Sequence, residues 1–256
     1  MRGRRPSFTA RSVALIRSHL PRPTTQEGDP DAERRLYAGL RLRFSLPLLS
    51  GSGRSSVPAR TAFIDEETLS AITEGITQVV IVGAGYDGRA LRFRTPGVRF
   101  FEVDHPATQM DKRQRLEGLG VRLDHVRFVP VNLISEQLEQ VLSKTDHNRE
   151  EASLFICEGL VRYLPKACVE RLFASLRSLA ASGSKLVLNN REYLTPVVRS
   201  RRRLFLSLLG EPILSTFAIA ETTRFLNGAG WQISREVRRT AAQTELILIA
   251  ARPDGQ

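Results

Sequence analysis

The chain has 256 residues, 41% of them hydrophobic, enough to bury one substantial core with helical additions. It carries a formal net charge of +11, and no apolar run approaches the ~18 residues that span a bilayer, so a soluble, cytoplasmic protein with no membrane contact is expected. Its two cysteines, Cys157 and Cys168, offer neither a metal-ligand spacing nor a disulfide framework, and no metal site is expected.

Six arginines precede the first acidic residue, Glu27, a composition shared with organelle transit segments. Phe8 to Leu20 nevertheless reads as an amphipathic helix, and a folded helix is the preferred reading. Asp29-Pro30 predicts a helix start, with Asp29 as N-cap and Pro30 at the first helical position, running to about Phe44. Ser50 to Pro58, rich in Ser and Gly, reads as a mobile connection. Strands are expected at Gln78 to Val82, Val98 to Val103, Val126 to Val131, Leu154 to Cys157 and Lys185 to Asn189. A helix from Ala220 to Asn227 and a terminal hairpin between Gly230 and Ala251 close the chain. Such alternation predicts an α/β fold whose mostly parallel sheet is covered on both faces.

Three strand ends carry chemistry. The first strand breaks into Gly83-Ala84-Gly85-Tyr86-Asp87-Gly88, and Arg89 to Phe93 reads as a short helix. This spacing matches the dinucleotide fingerprint, with Asp104 at about the expected ~20 residues beyond it. A pyrophosphate, however, needs free backbone N–H groups and no nearby anion, and Asp87 lies inside the loop. S-adenosylmethionine (SAM), with a sulfonium and an ammonium and no phosphate, tolerates acidic neighbours. A glycine turn that binds nothing is the plain alternative. The second strand ends in Asp104-His105-Pro106, where a carboxylate can accept the hydroxyls of a ribose; Glu102, two residues earlier, is either a solvated charge or a binding group. The third runs into Glu158, so that Asp87, Asp104 and Glu158 gather three acids at one crevice, an arrangement that favours a cationic ligand over a nicotinamide dinucleotide.

Arg60-Thr61-Ala62-Phe63-Ile64-Asp65, Gly83 to Arg89, Phe101-Glu102-Val103-Asp104-His105-Pro106 and Glu158-Gly159-Leu160-Val161-Arg162-Tyr163-Leu164-Pro165 together resemble the bacterial branch of the leucine carboxyl methyltransferase family, class I SAM-dependent methyltransferases. Glu211-Pro212-Ile213-Leu214 and Gly230-Trp231 resemble its later blocks. The resemblance implies a doubly wound, mostly parallel seven-stranded Rossmann-like sheet, with an N-terminal helical cap (1–57), a SAM-binding domain (58–256) and a helical insertion at about 193–216. It implies that Arg60 holds the SAM carboxylate, that Gly83 and Gly85 with Asp87 form the cofactor loop, that Asp104 binds the ribose, and that Glu158 sits near the ammonium group. Asn132-Leu133 stands where the family has Asp-Leu beside the adenine; Asn keeps an acceptor but loses the charge. Arg11 or Arg17 is implied as a further basic contact. Gly88, Leu91 and Arg162 depart from common family residues, and Arg162 is placed to alter the acceptor pocket.

The implied function is in-line transfer of the SAM methyl group to a carboxylate or other acidic oxygen of a small molecule. A carboxylate is already ionised at its ordinary pKa of about 4 and needs no base, whereas a phenol would benefit from one; Tyr163 and His105 are the nearest candidates. Methylation of a protein C-terminal carboxyl group is the alternative within the family. Arg199, Arg201 to Arg203 and Arg238-Arg239 raise an RNA- or nucleic-acid methyltransferase as the other, but no aromatics interleave with them for base stacking, and solvated helix faces are the preferred reading.

Overall fold

The computed structural model describes residues 7–38, 52–208, 211–241 and 244–254. A seven-stranded sheet forms the centre. The apolar run Gln78–Val82 (β1) is buried along its whole length and pairs in parallel with Arg99–Asp104 (β2) on one side and Ser153–Cys157 (β4) on the other. Val126–Pro130 (β3) extends the sheet beyond β2, and Lys185–Tyr193 (β5) extends it beyond β4. Thr244–Pro253 (β7) then pairs antiparallel with β5 and with Trp231–Ala241 (β6), which forms the far edge.

Period-two alternation explains why both faces need cover. Val80, Val82, Phe101 and Phe155 meet Leu138–Leu142 (α6), Lys166–Ser178 (α7) and Ile219–Gly228 (α9) through Leu142, Phe173 and Leu226. Val79, Ile81, Phe100 and Ile156 face the other way, onto Ser52–Thr73 (α3) and Arg89–Arg92 (α4), through Phe63, Ile64 and Ala90. Each such fully buried side chain contributes roughly 1.5–3 kcal/mol. Trp231, fully buried, donates its indole N–H to the Phe173 carbonyl (3.0 Å) and meets the Phe155 ring edge-on, pinning the last strands to α7.

Four elements complete the fold. Phe8–Arg17 (α1) begins at Ser7, whose hydroxyl accepts the Ala10 N–H, as the amphipathic reading predicts. Ala32–Ala38 (α2) starts three residues after Asp29, which accepts the Asp31 N–H through its side chain. The predicted continuation to Phe44 lies outside the described residues. Pro106–Gly118 (α5) follows β2, and Pro196–Leu208 (α8) follows β5.

Two expectations are corrected. Residues 52–58 are not a connection but the opening turns of α3, with Pro58 inside the helix, where it leaves one rung without its N–H donor. Composition lost to tertiary packing here: the downstream face of α3, with Phe63, Ile64 and Ala71, is part of the core and the helix extends back from it. Also, β5 continues to Tyr193 rather than ending near Asn189, because β7 pairs with it as far as Tyr193↔Thr244. Among the described residues, no helix is long and apolar enough to cross a membrane.

Candidate functional site

Strand order reverses at β1 and β4, so the carboxyl ends of β1, β2 and β4 open onto a shared crevice. There β1 runs into Gly83 (φ 72°) and Gly85 (φ 52°), a left-handed path that a side chain would strain. Four of the turn's donors are used internally. Gly83 and Ala84 both donate to the Val103 carbonyl (2.8 and 3.1 Å), Gly85 to Asp104 Oδ2 (2.5 Å) and Asp87 to the Ala84 carbonyl (2.9 Å). Asp87 Oδ1 in turn accepts the Arg89 N–H (2.8 Å), occupying the start of α4 with the protein's own anion. With these donors spent and an anion at the helix start, the turn is poorly suited to cradle a phosphate.

The acids at the crevice are not the uncompensated cluster that the sequence suggested. Arg89, fully buried, reaches Asp65 Oδ1 (2.7 Å), Asp87 Oδ2 (2.5 Å) and Glu158 Oε2 (2.7 Å). Arg17 joins Asp87 (3.2 Å) and Glu158, and Arg60 Nε donates to Glu158 Oε1 (2.8 Å). Behind them Arg22 grips Asp65 with two hydrogen bonds (2.7 and 2.8 Å) and pairs with Glu33. Burial alone would raise the Glu158 carboxyl, but the guanidiniums of Arg17, Arg89 and Arg60 hold it well below the ordinary range. Asp87 is likewise depressed, burial being outweighed by Arg89 and Arg17. A low-dielectric interior demands this pairing. The case against pyrophosphate thus rests on the committed N–H groups, not on a bare Asp87.

The predicted residues separate into two sets. Arg60, Gly83, Gly85, Asp87, Asp104, Glu158 and Tyr163 all line one cavity of about 180 Å³. Asp104 accepts N–H bonds from Gly85 and from His105 (2.6 Å), yet burial outweighs them and its pKa is raised. Asn132 and Leu133 lie outside the lining: the Asn132 side chain accepts the Ile134 N–H (3.2 Å), and Arg171 donates to the Leu133 carbonyl (3.0 Å). His105 is also outside it, its Nδ1 facing the Ala107 N–H (3.3 Å) at the start of α5. Glu102 is neither solvated nor a cavity group; it is buried against Lys112 Nζ (2.5 Å), which also donates to the Asp87 carbonyl (2.6 Å). Of the two N-terminal candidates, Arg17 enters the site while Arg11 turns to Asp111 and the Tyr86 hydroxyl.

Two departures acquire a local reason. Gly88 leaves room for Glu33, whose carboxylate lies 2.7–3.1 Å from where a Cβ would stand. Leu91 packs with Ala32, Leu36 and Leu116 beneath α2. Helix α1 covers the glycine turn, with Ala10 Cβ 3.0 Å from the position of a Gly85 Cβ. Glu211 anchors the N-terminus of that helix, accepting the Phe8 N–H (2.5 Å), the Thr9 N–H (3.2 Å) and the Thr9 hydroxyl.

At the other end of the cavity stand Tyr163 and Arg162. Arg162 Nη2 donates to the Tyr193 hydroxyl (2.6 Å), and its guanidinium lies 5.5 Å from the centre of that ring. Sequence reasoning missed Asp65, Arg89, Lys112, Glu211 and Tyr193 as site-forming residues. Arg89 and Asp65 stood within the quoted motifs, and a charge count there would have flagged them.

The leucine carboxyl methyltransferase family model matches residues 49–177, half of the chain. A relative from Parafrankia sp. (strain EAN1pec), named as an inferred S-adenosyl-L-methionine-dependent methyltransferase, is 32% identical over 198 residues, covering 73% of this chain and 61% of its own length. One from Mycobacteroides abscessus, similarly named, is 38% identical over 127 residues, covering 49% of this chain and 42% of its own. The chain thus spans about two fifths to three fifths of the length of these relatives. Among solved structures, a methyltransferase, so named by inference, from Thermobifida fusca YX superposes with a TM-score of 0.65 at 16% identity, covering 97% of this chain and 95% of its own. The magnesium protoporphyrin IX methyltransferase of Synechocystis PCC 6803, solved with bound SAH, gives 0.55 at 15% identity, covering 86% and 92%. These two share the class I methyltransferase fold.

Proposed function

The chain belongs to the leucine carboxyl methyltransferase family, and we propose that it is a SAM-dependent O-methyltransferase acting on a carboxylate or other acidic oxygen of a small molecule. The observation that carries this reading is the cavity at the glycine turn. It presents the Asp104 carboxylate beside a backbone whose Gly83, Ala84, Gly85 and Asp87 N–H groups are already committed, a surface better suited to a ribose than to a pyrophosphate.

The residues present fit the cofactor. Each Asp104 oxygen accepts one backbone N–H and retains acceptor capacity, enough for two ribose hydroxyls. Arg60 is engaged with Glu158 through Nε, and its terminal nitrogens lie over Gly159, a fork suited to the carboxylate of a methionine moiety. When bound, SAM supplies the methyl group as a sulfonium substituent. The protein's part is to position and to exclude water: α1, closed over the turn through Ala10 and Glu211, restricts the acceptor to a near-attack line. A carboxylate acceptor arrives ionised, so no group has to remove a proton; Tyr163, which lines the cavity, is the residue to test for a base. The cap (1–57) and the insertion at about 193–216, we infer, shape the acceptor side of one structural unit.

Calorimetric titration with S-adenosylhomocysteine (SAH), with NAD as comparison, tests the reading. Micromolar SAH binding, no NAD binding and at least 10-fold weaker SAH binding in Asp104→Asn are expected. Binding of NAD alone would remove the methyltransferase reading.

A further inference from the structure

We propose that Arg162, held by Tyr193, is the binding residue for an acceptor with an anionic head and an apolar body, of the class of aliphatic and aromatic monocarboxylates. The acceptor role rests on the methyltransferase reading; the anion site itself does not.

Three observations converge on it. First, the cavity arginines differ in their partners. Arg17 and Arg60 are matched by Asp87 and Glu158, whereas Arg162 lines the same cavity with no carboxylate at ion-pair distance among the described residues. Glu211 also lines the cavity, but its oxygens are committed to Phe8 and Thr9. Arg162 lies close enough to Arg60 for the two positive charges to repel, an interaction that a bound anion would relieve.

Second, the guanidinium is held in place. Tyr193 accepts its Nη2 hydrogen bond, while the Arg162 carbonyl accepts N–H bonds from Leu214 (2.9 Å) and Ser215 (3.2 Å). A planar cation with its remaining donors available is the group that matches a carboxylate in two-point geometry. Third, the neighbouring wall is apolar. Tyr193, Leu206 and Ile213 form a buried cluster against which Phe8 and Phe205 pack, and Leu206 also lines the cavity. A cation beside hydrocarbon selects a ligand built the same way, with one charge and an apolar body.

The test is calorimetric titration of the full chain, with and without saturating SAH, using benzoate, 4-phenylbutyrate and decanoate, each against its primary amide. At least one acid is expected to bind 10-fold or more tightly than its amide. That preference should vanish in Arg162→Met, survive within about 3-fold in Arg162→Lys and weaken a few-fold in Tyr193→Phe, with SAH affinity changed less than 2-fold throughout. Circular dichroism and thermal unfolding of each variant establish that it is folded, and the Lys and Phe variants keep the question answerable should Arg162→Met not fold. No acid preference in any pair, an unchanged preference in both Arg162→Met and Tyr193→Phe, or a 10-fold loss of SAH affinity in Arg162→Met would overturn the proposal, the last by placing Arg162 in the cofactor site. Failure of the wild-type chain to bind SAH would count against the methyltransferase reading alone, because the acid–amide comparison without SAH still reads Arg162.

Discussion

The two ends of the cavity use arginine in opposite ways. At the glycine turn, Arg17, Arg60 and Arg89 are matched by Asp87, Glu158 and Asp65, and every partner is buried or nearly so. At the insertion end, Arg162 has a phenol but no carboxylate among the described residues. The first arrangement stores its charges as structure, since a paired interior ion is costly only when its partner is taken away. The second leaves a charge in reserve, which is what a binding group requires. Family membership alone would not separate these roles.

The difference is broken most directly by removing one arginine from each end. Arg89→Met leaves Asp65, Asp87 and Glu158 buried with their shared partner gone, and a loss of about 3–5 kcal/mol is expected. Urea unfolding should show a lower midpoint at an unchanged slope, or no folded protein. Arg162→Met removes no carboxylate's partner, so its cost should stay within about 1 kcal/mol. Equal destabilisation by the two substitutions would mean that the ends do not differ in kind.

Acid sharpens the same contrast. Burial pushes Glu158 up and its three arginines more than reverse this, so its folded pKa lies below the unfolded value of about 4.3. A depressed carboxyl contributes stability that is complete above the unfolded pKa and is lost as pH falls toward the folded one. The wild-type urea midpoint should therefore hold near pH 6 and decline as pH drops below about 4. In Glu158→Gln the chain starts less stable but declines less steeply, because one proton-binding site is gone; Asp87, depressed by the same neighbours, retains part of the slope. Parallel declines in the two proteins would contradict the assigned pairing.

How much of this was legible beforehand follows the range of the interactions. Strands β1 and β4 end within a residue of expectation, since a buried apolar run broken by glycine or an acid is a local signal. The acids at the strand ends were equally visible. Their partners were not: Arg60 and Glu158 are 98 residues apart and Arg162 and Tyr193 are 31 apart, and only the fold brings them together. Asp87 and Glu158, two of the three acids, were consequently read as bare when arginines neutralise them. Residues 52–58 misled for a related reason, as their Ser and Gly content describes local propensity while their helical state is set by packing farther along α3.

The smallest expected effect concerns the join between the two ends. Glu211, in the segment after α8, accepts the first N–H groups of α1, the helix that covers the glycine turn. Its charge faces the positive end of the helix dipole and its two oxygens satisfy donors that have no partner within the helix. Glu211→Gln removes the charge and replaces one acceptor with a donor, which should cost about 1 kcal/mol locally. Because Arg17 still anchors the other end of α1 to Asp87 and Glu158, global unfolding should hardly change. The readout is therefore local: amide hydrogen exchange across residues 8–12 should accelerate severalfold, while exchange in β1 and β4 stays as in the wild type. Uniform acceleration would show that α1 is part of the cooperative core, whereas acceleration confined to it would identify the cover as the part of the site able to open for an acceptor.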